Sequence, residues 1–211
     1  MRLITLILIG LLSAPFQAFA KVPVTVAVTK KSTQPVLVTT RTLKQIRAIA
    51  KGRFSRVTGL TKSKFNINLQ AKFTLQGNGR TWCVKKMRAE VAIGYKPVTV
   101  YVPREFPNGT CAYNAVYAHE LAHVRINDDV LQRLYPKVRP MMSDAVDRYG
   151  TTFCASTQKG AQDKAMRALK NGMRDVTNQV GRIARKLQGR IDTKMEYDRV
   201  SRSCREWPSL K

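Results

Sequence analysis

Both histidines of this 211-residue chain lie in one stretch, His119-Glu120-Leu121-Ala122-His123, and that leaves the stretch little choice of conformation. Side chains four apart share a face only on an α-helix, so two imidazoles at this spacing act on one centre only if the segment is helical. Glu120, one step round the same turn, then reaches a water beside that centre. This HExxH pattern is the signature of zinc hydrolases, in which two histidines hold the metal and the glutamate serves as general base. The plain alternative is two ordinary helix-surface histidines. Coincidence is the weaker account, because one of only five glutamates directly follows the first of only two histidines.

A catalytic zinc usually takes three protein ligands and keeps a fourth position open for water. With no third histidine, a carboxylate is the expected donor. Asp129 lies six residues past His123, where HExxHxxGxxH/D enzymes place a ligand, but Ile126 stands at the glycine position and argues against that class. Asp144 and Asp147 lie where a following helix supplies the ligand in thermolysin-like enzymes, although those use Glu. Glu196 and Asp198 are the C-terminal candidates. Any of these is also a plain surface charge.

Met1-Arg2 precedes an apolar run from Leu3 to Leu12 and then Ala18-Phe19-Ala20, the pattern of a bacterial-type secretory signal with cleavage expected after Ala20. No later run approaches the roughly 20 apolar residues that a membrane span needs. The expectation is export without a transmembrane anchor, to the periplasm or beyond the cell. An uncleaved N-terminal anchor is the other reading of the same run. Cys83, Cys111, Cys154 and Cys204 all follow the signal. An even number of widely separated cysteines with no CxxC pair points to two disulfides in place of a cysteine zinc site. Of three connectivities, Cys83–Cys111 with Cys154–Cys204 is the expected one, clasping the strand region to the motif helix and closing the C-terminal segment.

Thirty-eight Lys plus Arg oppose thirteen acidic residues, a net charge of +25, or +24 without Arg2. Such a balance favours anionic partners, among them an anionic envelope surface. The cations are scattered and few aromatics lie among them, which argues against nucleic acid.

Along the chain, Val22 to Val28 and Val36 to Thr40 read as strands, and Thr42 to Ala50 as a short helix ending near Gly52. Phe65 to Leu75 and Trp82 to Val102 alternate polar and apolar residues, with breaks at Gly77-Asn78-Gly79 and Gly94-Tyr95-Lys96-Pro97, and predict a small, mostly antiparallel sheet. Val98 to Val102 is either a core strand or an edge on which extended substrate could pair. Asn108-Gly109-Thr110 is read as a turn despite its sequon. The motif helix is expected from near Ala112 toward Leu134, ended by Pro136 and Pro140, with a second helix from Met141 to Gly150. Apolar residues from Met166 to Leu187 recur three and four apart. Under the preferred disulfide pairing that helical segment must reverse, between Asn171-Gly172 and Gly181. The fold class expected is α+β: a sheet and HExxH helix over residues 21–155, and a C-terminal helical segment, a hairpin, over 156–211.

The chain resembles a bacterial family of secreted, predicted zinc-dependent proteases catalogued as a domain of unknown function. The resemblance runs over a helix like Thr42 to Ala50, strands through Cys83 and Val98-Thr99-Val100-Tyr101-Val102-Pro103, then His119 to Ile126, and returns at Tyr197-Asp198-Arg199-Val200-Ser201. In that family a Tyr-Asp pair is followed by Thr-x-His-Gly, whereas Ser201-Arg202-Ser203-Cys204 stands here. The resemblance therefore implies Asp198 as the C-terminal zinc ligand and a peptidase activity. Together these readings give a secreted zinc metallopeptidase acting on protein or peptide, with His119, His123 and Asp198 on zinc and Glu120 as general base on a zinc-bound water. Two alternatives remain: a basic envelope-associated binding protein with a structural or vestigial zinc site, and an amidase acting on cell-wall peptide.

Overall fold

The computed structural model describes residues 21–50, 57–150 and 152–207, so the expected signal and its cleavage point lie outside the described residues. At its centre is β4 (Trp82–Tyr101), a 20-residue strand that every other described strand pairs with. β3 (Leu60–Gly77) runs antiparallel along one edge of it. The hairpin turn is set locally: the Asn78 side-chain oxygen accepts from the Arg80 and Thr81 amides, and Gly79 takes φ +86°. Left-handed φ favours glycine, which has no Cβ to clash. Along the other edge lie β5 (Cys154–Ala155), β1 (Val24–Lys31) and β2 (Val36–Val38).

β1 and β2 are parallel to β4, so the sheet is mixed and the expectation of a mostly antiparallel sheet is corrected. Alternation reports which face of a strand is buried, not which way its neighbour runs. Val98 to Val102 is not an edge: β2 and β3 flank β4 there, and among the described residues β3 pairs with no strand on its other side. The expected break at Gly94 to Pro97 is a bulge instead. Lys96 and Pro97 together stand opposite Lys64 alone, and a proline without an N–H is tolerated at such a position.

Two long helices cover one face of the sheet. α2 (Cys111–Tyr149) starts at Thr110, whose hydroxyl accepts from the Tyr113 amide, and continues unbroken for 39 residues with Pro136 and Pro140 inside it. The prolines do not end it. Both project from the exposed side, where water reaches the carbonyls left without an amide donor, while Leu134, Val138 and Met142 hold the opposite side in the core. α3 (Gln158–Gln188) is likewise continuous, so no hairpin forms at Asn171 to Gly181. Gly172 is there for close approach. A Cβ on it would lie 2.9 Å from the Met142 sulfur and 3.1 Å from the Ala145 methyl of α2. The sheet's inner face, the second half of α2 and the apolar stripe of α3 enclose one core.

The chain reverses only after Gln188, and α4 (Lys194–Arg202) returns it to the start of α2. α1 (Leu43–Ile49), begun by a reciprocal Thr42–Gln45 capping box, matches the expected short helix. The disulfides are Cys83–Cys154 and Cys111–Cys204, not the expected pairs. A straight α3 carries Cys154 and Cys204 to different ends of the molecule, which excludes their pairing. The chain is α+β, and two disulfides fit export into an oxidising compartment. No described helix is long and apolar enough to cross a membrane.

Candidate metal centre

The first half of α2 presents His119, Glu120 and His123 toward the C-terminal turn, with one ligand atom from each lying within 4.8 Å of the others. His119 and Glu120 are buried, at 6% and 3% exposure. Both ring nitrogens of His119 and Oε2 of Glu120 have no hydrogen-bond partner in the protein. Buried polar groups are almost always paired, and an orphaned one costs about 1–3 kcal/mol. Three such atoms in one place leave a position that a water or an ion can fill.

The second side of the site is the turn between α3 and α4. Asp192 Oδ1 lies 3.1 Å from His123 Nε2 and 3.9 Å from His119 Nε2, and Glu196 Oε1 lies 3.7 Å from His119 Nδ1. Among the described residues no other carboxylate oxygen comes within 4 Å of an imidazole nitrogen. Tyr197 donates to the same Asp192 oxygen at 2.9 Å.

His123 is oriented by a polar chain across three elements. The Gln188 amide nitrogen donates to the His123 carbonyl at 3.3 Å and to Asn127 Oδ1 at 3.2 Å, and Asn127 donates to Ser63 Oγ on β3 at 3.0 Å. That fixes the Gln188 oxygen against His123 Nδ1, which must donate to it. Nε2 is thereby left facing the Asp192 carboxylate, and two acceptors cannot meet at 3.1 Å without a cation between them. A proton or a metal ion meets that need.

The titration behaviour follows from the same arrangement. Burial, and after it the neighbouring His123, hold His119 below the ordinary histidine range. Burial would also lower His123, but the Asp192 hydrogen bond and the Glu120 charge outweigh it and raise the ring. The reverse holds for Asp192, where the His123 and Tyr197 hydrogen bonds outweigh burial and keep the carboxyl low. Burial lifts Glu120 to about 7. A base poised near neutrality is matched to moving a proton at physiological pH.

Zinc fits with a small closure of the turn. Tetrahedral N and O donors about 2 Å from the metal lie roughly 3.3 Å apart; Asp192 Oδ1 lies 3.1 Å from His123 Nε2 but 3.9 Å from His119 Nε2, and the group whose donor atoms all lie within 4.8 Å is His119, Glu120 and His123. A cleft of about 400 Å³ opens on the site, lined by Glu120, His123, Asp192 and Tyr197 and by Val57, Gly59 and Leu60.

The other expected ligands are elsewhere. Asp198 pairs with Lys194 at 3.4 Å on α4, Asp129 with Arg133 at 2.9 Å, and Asp147 with Lys21 at 3.0 Å. Asp144 is exposed on the far half of α2. Glu196 is the one expected carboxylate that reaches the imidazoles. Asp192 was missed, although Thr193-x-x-Glu196 is a capping-box signature that marks a helix restart and hence a turn just before it. The chain matches no protein-family model, no curated protein and no solved structure.

Proposed function

We propose that this chain is an exported zinc-dependent peptidase, with His119, His123 and Asp192 as the residues that would hold the metal. The observation that carries the reading is the set of buried, unpartnered atoms on His119 and Glu120 facing the Asp192 turn. When bound, zinc would supply a Lewis acid and a more acidic water. Glu120 would take the proton of that attacking water and return it to the departing amine, a use its burial-raised carboxyl suits. Tyr197 spends its single O–H on Asp192 and would hold that carboxylate in position. Peptide is the substrate favoured because the open edge of β3 at Leu60 to Ser63 lines the cleft, and an extended chain can add to such an edge through backbone hydrogen bonds. The resemblance to secreted zinc-dependent proteases points the same way.

Zinc analysis of the oxidised protein, with turnover of an unstructured protein substrate, tests this. One zinc per chain is expected, lost in a His119→Ala/His123→Ala variant. Glu120→Gln should keep zinc and lose about 10²–10⁴-fold in turnover. Full turnover in Glu120→Gln would refute Glu120 as the base, and absence of turnover in the unaltered, zinc-loaded protein would refute the peptidase reading.

A further inference from the structure

The apolar stripe of α3 is spent on the core, but its opposite face carries a second pattern. Lys164, Arg167, Lys170, Arg174, Arg182 and Arg185 recur at steps of three, four or eight residues and are all exposed. They occupy an arc of about 120° and, at 1.5 Å per residue, a length of about 32 Å. None forms an ion pair among the described residues. Their side-chain partners, where they have any, are neutral: Lys164 donates to the Cys154 carbonyl, Arg174 to the Tyr149 hydroxyl and Arg182 to Gln179. The two acids of α3, Asp163 and Asp175, pair with Lys159 at 2.7 Å and Arg148 at 2.6 Å; Asp163 lies on the same face just before Lys164, near enough to Arg167 and Lys170 to feel their charge, and so bounds the stripe at its N-terminal end. Six like charges in a row repel one another, and nothing in the fold requires them.

We propose that this face of α3 is a docking track for a linear polyanion bearing phosphates or carboxylates at regular intervals, of the kind found in cell envelopes. A flat anionic bilayer fits less well. The helix has no apolar face left to insert, and no large hydrophobic side chain on it is exposed. On its α2 side the stripe is bordered by a groove containing Asp144 and Asp147, which a charged plane would also meet. Single-stranded nucleic acid would require stacking aromatics, and α3 has none. The track ends at Arg185, one turn before the Gln188 that orients His123, so a seated polymer reaches the end of the molecule that carries the cleft. The proposal does not depend on hydrolysis.

Binding of labelled long-chain polyphosphate to the full oxidised protein, followed by anisotropy across a salt series, tests it. The stripe variant Arg167→Glu/Arg174→Glu/Arg182→Glu is set beside Lys72→Glu/Lys86→Glu/Arg88→Glu on the outer face of the sheet, an equal change of net charge at exposed positions. The stripe variant should weaken binding at least about tenfold and flatten the log–log salt slope by about two, as expected for three lost contacts to a single strand. The sheet variant should weaken it less than about threefold. Equal losses in both would reduce the effect to net charge and overturn the track. Binding that is absent, or stronger to anionic phospholipid vesicles than to polyphosphate at equal phosphate, would overturn the polymer.

Discussion

Cys83–Cys154 ties β4 to β5 at the border of the large core, whereas Cys111–Cys204 ties the first turn of α2 to the end of α4, beside the imidazoles. In the large core that the first bridge borders, side chains such as Met87, Ile93, Leu134, Met142 and Leu169 are fully enclosed, and among the described residues one buried polar atom there lacks a partner, the Tyr95 hydroxyl, whose burial pushes it up to about 12. Around the second, a small cluster of Val100, Val102, Phe106, Ala112, Tyr113, Val116 and Val200 adjoins the three orphaned atoms of His119 and Glu120. α4 buries only Val200. Beyond that residue it is held by the disulfide and by Trp207 against Phe106 at 5.3 Å. The large core can supply stability without chemistry. The small one must hold Asp192, Glu196 and Tyr197 in place with few contacts.

That contrast is sharpest for the bridges themselves. Closing loops of 71 and 93 residues should each contribute about 4.5 kcal/mol by chain entropy. Cys83→Ala/Cys154→Ala is expected to lower denaturant stability by about that amount while leaving zinc affinity unchanged. Cys111→Ala/Cys204→Ala should cost a similar stability and also weaken zinc at least about tenfold, because the Asp192 turn loses its tether. Equal zinc affinities in the two variants would show that α4 needs no covalent hold. A cavity in the large core makes the matching test: Leu169→Ala should cost about 2–5 kcal/mol with one zinc still bound.

Within the site, the proposed ligand is Asp192, which the sequence reading did not name, in place of Asp198, which it preferred. Asp192→Asn should reduce zinc affinity by more than the ~10–100-fold that loss of an outer-shell partner costs, and Asp198→Asn by little. Isothermal titration of both variants decides it. A larger loss in the Asp198 variant would restore the ligand implied by the family resemblance.

The parts that were legible are those whose physics is local. The Thr42 cap, the Asn78-Gly79 turn, the Phe65 to Leu75 alternation and the i,i+4 histidines each depend on residues within a few positions of one another. Strand direction, the disulfide partners and the third carboxylate depend on where distant segments meet. Pro136 and Pro140 misled for a related reason. A proline weakens a helix locally, but Leu134, Val138 and Met142 pack against the sheet and hold α2 through both. Asp192 belongs to the same class. It lies 69 residues from His123, and only the unbroken length of α3 brings it back to the motif.

The smallest expected effect concerns one missing methyl group. A Cβ on Gly59 would lie 2.6 Å from Val116 Cγ1, 2.7 Å from Glu120 Oε1 and 2.9 Å from Glu120 Cγ, all inside contact distance. Val116 is packed at 1% exposure, so in Gly59→Ala the backbone at residue 59 must shift away from it and the Glu120 side chain must move as well. If Glu120 is the base, a displacement of this size should lower kcat about tenfold, since misplacement by about 1 Å already costs 10²-fold. Zinc content should hardly change, because the imidazoles lie on α2 and do not move with the residue 59 backbone. A variant that loses zinc instead would show that Gly59 shapes the metal position and not the base. A kcat equal to that of the unaltered protein would mean that the Glu120 carboxyl takes no part in the rate-limiting proton transfer.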